Sequence, residues 1–337
     1  MPIPSTFIPT RRALLVFAAV NMLGLTAPEA QTQTDPLPSW NDGAAKTRII
    51  DFVQRVTRQA GPDFVPIEDR IATFDNDGTL WTEQPNYVQA EFVEARAREL
   101  ANANPELAGR QPFKALLSGD RATLAALGEQ GIADLMIATH SGMTTTAFEK
   151  SVSDWLATAR HPRFNRPYTE LIYQPMVELL TYLRANGFKT FIVSGGGVEF
   201  MRPWTEKAYG IPPEQVIGSS GKTSYRLEGD TPVIEKLPTV EFVDDGSGKP
   251  LGINRFIGRR PVFAAGNSDG DLQMLQWTTL NTGPRFALIV HHTDVEREYA
   301  YDRQSQIGRL DKALDEAPKR GWLVVDMKRD WKTIYKP

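Results

Sequence analysis

Two aspartates one residue apart, Asp75 and Asp77, follow the apolar run Ile71-Ala72-Thr73-Phe74. At the end of a buried strand such a pair repels itself, and each carboxyl is driven toward protonation unless a cation stands beside it. A second polar cluster, Asn267-Ser268-Asp269-Gly270-Asp271, follows the apolar stretch 261–266. A third apolar stretch, 188–194, runs into Ser194-Gly195-Gly196-Gly197. The available ligands are oxygens, because the chain has no cysteine and its four histidines form no obvious cluster. An all-oxygen set selects a hard cation, Mg2+ first and Ca2+ or Mn2+ next. Ser194 offers a hydroxyl, and the glycines let backbone N–H groups approach an anion where an amphipathic segment begins at Val198. Carboxylates, a hard cation and a phosphate cradle point together to phosphoryl transfer.

Positioning these groups requires a particular kind of sheet. Residues 70–74, 188–194, 261–266, 285–292 and 322–327 read as strands. The middle three are near-continuous apolar runs with helical patterns between them, as expected of parallel strands buried on both faces. The fold class is therefore α/β, a doubly wound and mainly parallel sheet. Ligands of such sheets bind beyond the carboxyl ends of the strands, so the three polar segments should converge. The interval 81–166 breaks the rhythm with helical patterns and no convincing strand, and reads as an inserted helical domain. The run "SYRLEGDTPVIEKL" reads as a β-hairpin turning at Glu228-Gly229-Asp230.

Asp75-Asn76-Asp77-Gly78-Thr79 resembles the first motif of the haloacid dehalogenase-like (HAD) superfamily in its phosphatase branch. Ser194 resembles the second motif, Lys249 in "GSGKPLGINRFIG" the third, and "GNSDGDLQML" the acidic fourth. The order and spacing hold from about residue 71 to 275, and the insert resembles the cap of phosphoserine-phosphatase-like members. The resemblance implies a HAD-like Rossmannoid core, with Asp75 as nucleophile and Asp77 as general acid and base. It implies Ser194, Gly195 and Thr79 around the substrate phosphate, Thr79 by steadying the turn, and Lys249 neutralising charge. It also implies Mg2+ held by Asp75, Asp77, Asn267 and Asp271, with Asp269 as a further possibility. Relatives carry Asp where Asn267 stands, so this site has one fewer negative charge. Lys222 is a rival to Lys249.

The first thirty residues differ from the rest. Arg11 and Arg12 precede an apolar run from Ala13 to about Ala27, with small residues at Ala27 and Ala30. This is a secretory signal pattern, with some likeness to a twin-arginine signal. The apolar run is short for a span of about 20 residues. The expected organisation is a signal peptide at 1–30, a linker at 31–43, a catalytic core at 44–80 and 167–337, and a cap at 81–166. The protein is expected to be periplasmic or secreted, without a stable membrane anchor after cleavage. A formal charge of −3, or −4 once two Arg and one Glu leave with the signal, gives no sign of a nucleic-acid partner. The expected partner is a small, polar phosphorylated metabolite.

The resulting reading is an exported Mg2+-dependent phosphomonoesterase working through an aspartyl-phosphate. Alternatives are a phosphotransferase using the same intermediate, and a catalytically weak phospho-ligand binding protein in which Asn267 marks a lapsed site. A dehalogenase needs neither Asp77 nor an acidic fourth motif. Glu83 and Gln84 could face the substrate or lie in a solvated turn. His291 and His292 read as structural, and Tyr87, Phe92 and Trp155 as cap core.

Overall fold

The computed structural model describes residues 35–336. The expected signal segment, 1–30, lies outside the described residues, as does the start of the expected linker. Among the described residues no helix is long and apolar enough to cross a membrane.

The chain opens with α1 (Ala44–Thr57), whose Ile49, Phe52, Val53 and Val56 are buried at helical spacing. β1 (Ile71–Phe74) follows. The insert contributes α2 (Val88–Ala103), α3 (Pro105–Ala108), α4 (Phe113–Ser118), α5 (Arg121–His140) and α6 (Thr145–Thr158). The chain returns through α7 (Gln174–Ala185), β2 (Lys189–Gly197) and α8 (Val198–Tyr209). β3 (Val216–Glu228) and β4 (Thr231–Phe242) form the expected hairpin. Then come α9 (Gly248–Gly252), β5 (Phe263–Gly266), α10 (Leu272–Thr279), β6 (Phe286–His291), α11 (Lys312–Arg320), β7 (Leu323–Asp326) and α12 (Met327–Asp330).

Seven strands form one sheet in the order β4-β3-β2-β1-β5-β6-β7. Every neighbouring pair is parallel except β3 and β4. The sheet is covered on both faces, which is why its central strands are apolar throughout. Phe74, Phe263 and Ala265 pack into one core cluster, whereas Val193, Ala264 and Ile289 pack into another. β1 lies between β2 and β5, with Phe74 paired to Ile192 and to Ala265. The Asp75 N–H extends this ladder by donating to the Ala265 carbonyl at 2.9 Å. The residues after β1, β2 and β5 are thereby held side by side.

The helical cap has a small core of its own, made by Val93, Ala97, Phe113 and Leu135. Its last helix belongs to the main core: Phe148, Val152 and Leu156 of α6 join Phe92 and Phe200 there. α5 is broken at Gly128, where φ is 58°. The hairpin docks on the insert, with the Lys236 N–H donating to Met143 O and the Gly142 N–H donating to Lys236 O.

Two expectations need correction. The described part of the linker is packed: Leu37 and Trp40 are buried, and Trp40 meets Trp331 edge-on at 5.9 Å. Apolar side chains spaced among polar ones were enough to anchor it. Tyr87 is 39% exposed and its hydroxyl accepts from the Gly308 N–H, so it lies outside the cap core. Phe92 is buried and Trp155 packs partly buried against it, but in the main core cluster rather than in the cap's own.

Candidate active site

The site is built at the carboxyl ends of β1, β2 and β5. Asp75 emerges from β1 into a buried position, where its Oδ1 accepts from Lys249 Nζ at 2.7 Å. Lys249, on the short α9, is 2% exposed and also donates to Asp271 Oδ1 at 2.5 Å. Burial raises the Asp75 carboxyl well above its ordinary range, helped by the Asp271 charge and opposed by Lys249. Burial alone would lower Lys249, but Asp271 and Asp75 outweigh it and hold the ammonium charged. Lys222 lies exposed on β3, so Lys249 is the lysine at the site.

Asp77 is pushed up to about 6 by burial, with a Trp81 hydrogen bond and the Lys249 charge pulling the other way. Trp81 Nε1 donates to Asp77 Oδ1 at 2.9 Å, which leaves the second oxygen for other work. That oxygen faces the glycine turn that ends β2: a side-chain carbon built on Gly196 would sit 3.6 Å from Asp77 Oδ2 and 3.4 Å from Ser194 Oγ. Ser194 is buried and its hydroxyl accepts from the Gly196 N–H at 3.1 Å. Gly195, exposed beside it, leaves its backbone accessible. The Gly197 N–H is committed to Gln89 Oε1 of α2 at 2.7 Å, tying the cap to this turn.

The fourth motif is more constrained than its sequence suggests. Asp271 is fully buried and its Oδ2 accepts from the Asn267 and Ser268 N–H groups at 2.9 and 3.0 Å. Together with Lys249, which takes the other oxygen, this makes Asp271 the brace of the loop and not the metal ligand expected there. Asn267, also buried, points its Oδ1 at Thr79 Oγ1 (3.0 Å) and its Nδ2 at Glu83 Oε1 (2.6 Å). The amide orientation follows from these partners, a hydroxyl on one side and a carboxylate acceptor on the other.

Two expected roles are corrected here. Thr79 is fully buried and its hydroxyl donates to Asn267, so it orients that amide and does not reach toward a phosphate. Asp269 turns away from the site: its Oδ1 accepts from the Asp311 and Ala313 N–H groups at 3.0 and 2.9 Å. It therefore satisfies donors at the start of α11, which have no partner within the helix.

Several participants were undervalued in the sequence. Glu83 is 2% exposed, and besides Asn267 it accepts from the Tyr301 hydroxyl at 2.7 Å. Burial raises it well above the usual carboxyl range, opposed by the Tyr301 hydrogen bond and reinforced by the Asp77 and Asp75 charges. Its place four residues after Thr79 was the only signal for it. Gln84 binds Ser305 and the Ile307 carbonyl, which gives it a structural role. His292 sits with its Nε2 2.7 Å from the Gly78 carbonyl and its Nδ1 3.2 Å from Glu298. Glu298 is fully buried and also receives the Thr82 and Tyr173 hydroxyls at 3.2 and 3.1 Å. This network clamps the turn that carries Asp77. Gly78 has φ of 72°, and a side chain there would strike Asn267 and Glu83, at 2.2 and 2.3 Å.

Among the described residues no group of three or more His, Cys, Asp or Glu side chains is placed to hold a metal. Any cation shell here must draw on amide or main-chain oxygens. The Asp75 carboxylate, the Asp77 carbonyl and Asn267 Oδ1 are oxygens of the kind that would suit Mg2+ or Ca2+.

Residues 72–276 match the family model of the haloacid dehalogenase-like hydrolases. The chain belongs to this family. No curated protein matches it. Among solved structures it is similar to a protein of unknown function from Bordetella pertussis Tohama I. They share 18% identity and a TM-score of 0.50, over 77% of this chain and 98% of that one. It is similar to a conserved, functionally unknown protein from Anaerococcus prevotii DSM 20548 at 14% identity and a TM-score of 0.53, over 85% and 91%. A phosphoserine phosphohydrolase-like protein from Francisella tularensis subsp. tularensis SCHU S4 matches at 19% identity and a TM-score of 0.36, over 66% and 87%. Family and paired aspartates together make the protein a phosphoester hydrolase.

Proposed function

We propose that the protein is an exported, Mg2+-dependent phosphomonoesterase that hydrolyses a small phosphate ester through an aspartyl-phosphate. The observation that carries this reading is the division of labour between Asp75, held at 2.7 Å by Lys249, and Asp77, pushed to about 6. One carboxylate is braced by Lys249 to attack, and the other, raised toward neutral pH, can both give and take a proton there. Export rests on the Arg11-Arg12 apolar leader.

Asp75 attacks phosphorus as the P–O bond to the alcohol breaks. Asp77 gives its proton to the departing oxygen. A water then attacks the phosphorus of the aspartyl-phosphate and passes a proton to Asp77 as the bond to Asp75 breaks. Atoms and protons balance, and both carboxyls return to their starting states. Ser194 Oγ and the Gly195 N–H receive the phosphoryl oxygens, and Lys249 offsets their charge. The Asp75 carboxylate, the Asp77 carbonyl and Asn267 would hold the metal, in a buried cluster whose carboxyls are otherwise driven toward neutrality. When bound, Mg2+ draws charge from the phosphoryl oxygens and relieves repulsion between phosphate and carboxylate.

In this reading Asn267 offers its Oδ1 as a neutral oxygen ligand, with its Nδ2 held by buried Glu83. The test is hydrolysis of para-nitrophenyl phosphate by the full chain with Mg2+ and with a chelator. Turnover should depend on Mg2+, and Asp75→Asn should lower it by on the order of a thousandfold or more. Asp77→Asn should cost ethyl phosphate about 100-fold or more and para-nitrophenyl phosphate far less, since nitrophenolate leaves without a proton. Equal losses for both esters would remove Asp77 from that role. A wild type that binds phosphate and never turns over would defeat the enzyme reading.

A further inference from the structure

Beside the glycine turn lies a cavity of about 180 Å3 between the cap helix α5 and the hairpin. Met136 and Ile137 of α5 form one wall, and Leu237 and Val240 of β4 the other, with Gly195 and Gly197 at its floor. Gly196, between those two glycines, lies beside Asp77 Oδ2, so the cavity adjoins the site through the glycine turn. Two charged side chains line it, Lys236 and Glu199, and they pair with each other at 3.1 Å. Lys236 is buried and also lies 4.8 Å from the centre of the Phe148 ring. His140, also in the wall, is kept neutral at physiological pH, its value lowered to about 3 by burial and by Lys236.

We infer that this cavity receives the alcohol portion of the substrate, and that this portion is a compact apolar group the size of one ring. The inference rests on the phosphatase reading and refines it. An apolar cavity of roughly 150 Å3 takes up one benzene ring, so the volume suits a single ring. A zwitterionic amino acid such as phosphoserine needs one free anion and one free cation in the wall, and here the only such pair is spent on itself. A polar alcohol would lose hydration against a mostly apolar wall in which the Ser141 and Ser219 hydroxyls already donate to the Ile137 and Gly195 carbonyls. The polar metabolite expected from the sequence therefore gives way to an apolar one.

The test uses benzyl phosphate, ethyl phosphate and O-phosphoserine, whose leaving groups are all alkoxides, so intrinsic reactivity does not decide the order. The full chain should show kcat/KM for benzyl phosphate at least tenfold above both others. Leu237→Trp, which fills the cavity, should cut the benzyl-to-ethyl ratio about tenfold. Equal kcat/KM for the three esters, or preference for O-phosphoserine, overturns the inference. Binding of the inert analogues benzylphosphonate and methylphosphonate to the wild type separates recognition from chemistry and needs no variant to fold. No hydrolysis with tighter binding of benzylphosphonate sustains the cavity assignment while removing the phosphatase reading. No hydrolysis and no preference between the phosphonates removes both.

Discussion

At the scale of single residues, Asn267 is explained by Glu83. The amide donates to a buried carboxylate at 2.6 Å. An aspartate in its place would set two carboxylates at that separation, each desolvated, with no donor between them. Asn267→Asp, the change that restores the usual family residue, should therefore destabilise the metal-free protein by on the order of 3 kcal/mol. Glu83→Gln should recover most of that loss, because an amide donor returns to the pair. Thermal unfolding of the two single variants and the double variant in chelator measures the coupling. Additive effects would mean that Glu83 and Asn267 do not act as a unit. Where the family pattern has an aspartate at position 267, this chain has an amide held by buried Glu83, whose own carboxyl burial drives toward neutrality.

At the scale of elements, the strand ends place the chemistry and the loops hold it. Asp269 illustrates a residue with a catalytic look and a structural task. Its carboxylate receives two N–H groups at the start of α11. Asp269→Ala should cost about 1 kcal/mol, as the loss of a helix cap does, and leave kcat/KM within twofold. A large fall in activity with unchanged stability would put Asp269 back in the site. The strands themselves were legible from sequence because burial on both faces leaves continuous apolar runs. The first residues of β3 were missed, since Val216-Ile217-Gly218 is short and runs directly into Ser219-Ser220-Gly221. The hairpin it leads into was visible from its turn and its alternation. The cap helices were legible too, but not the fact that α6 packs into the main core.

At the scale of the whole molecule, burial of charge near the site makes stability depend on pH. Asp244 is fully buried, and its carboxylate makes no full hydrogen bond, with the Ser194 amide giving only weak relief. Burial raises it to about 7, with Lys249 opposing and Asp245 adding to the rise. The folded protein thus binds a proton that the unfolded chain releases near 3.8. Stability falls as pH rises between those values, and the penalty is complete above about 7. Asp244→Asn should change stability little at pH 4 and raise it at pH 8 by on the order of 4 kcal/mol. Denaturant melts at the two pH values read this directly, and an equal shift at both would mean that Asp244 is not held protonated.

The sequence by itself determined the class of fold, the order of the four motifs, and the residues Asp75, Asp77, Ser194 and Lys249, because apolar periodicity and motif spacing are local properties of the chain. Tertiary structure decided which oxygen faces which donor. Glu83 meets Asn267 across 184 residues and Tyr301 across 218, separations at which no local pattern carries information. It also decided that Asp269 caps a helix, that Thr79 serves Asn267, and that a mostly apolar cavity lies beside the glycine turn. These are outcomes of packing, in which a buried polar group takes the partner within reach and its chemistry follows from that partner.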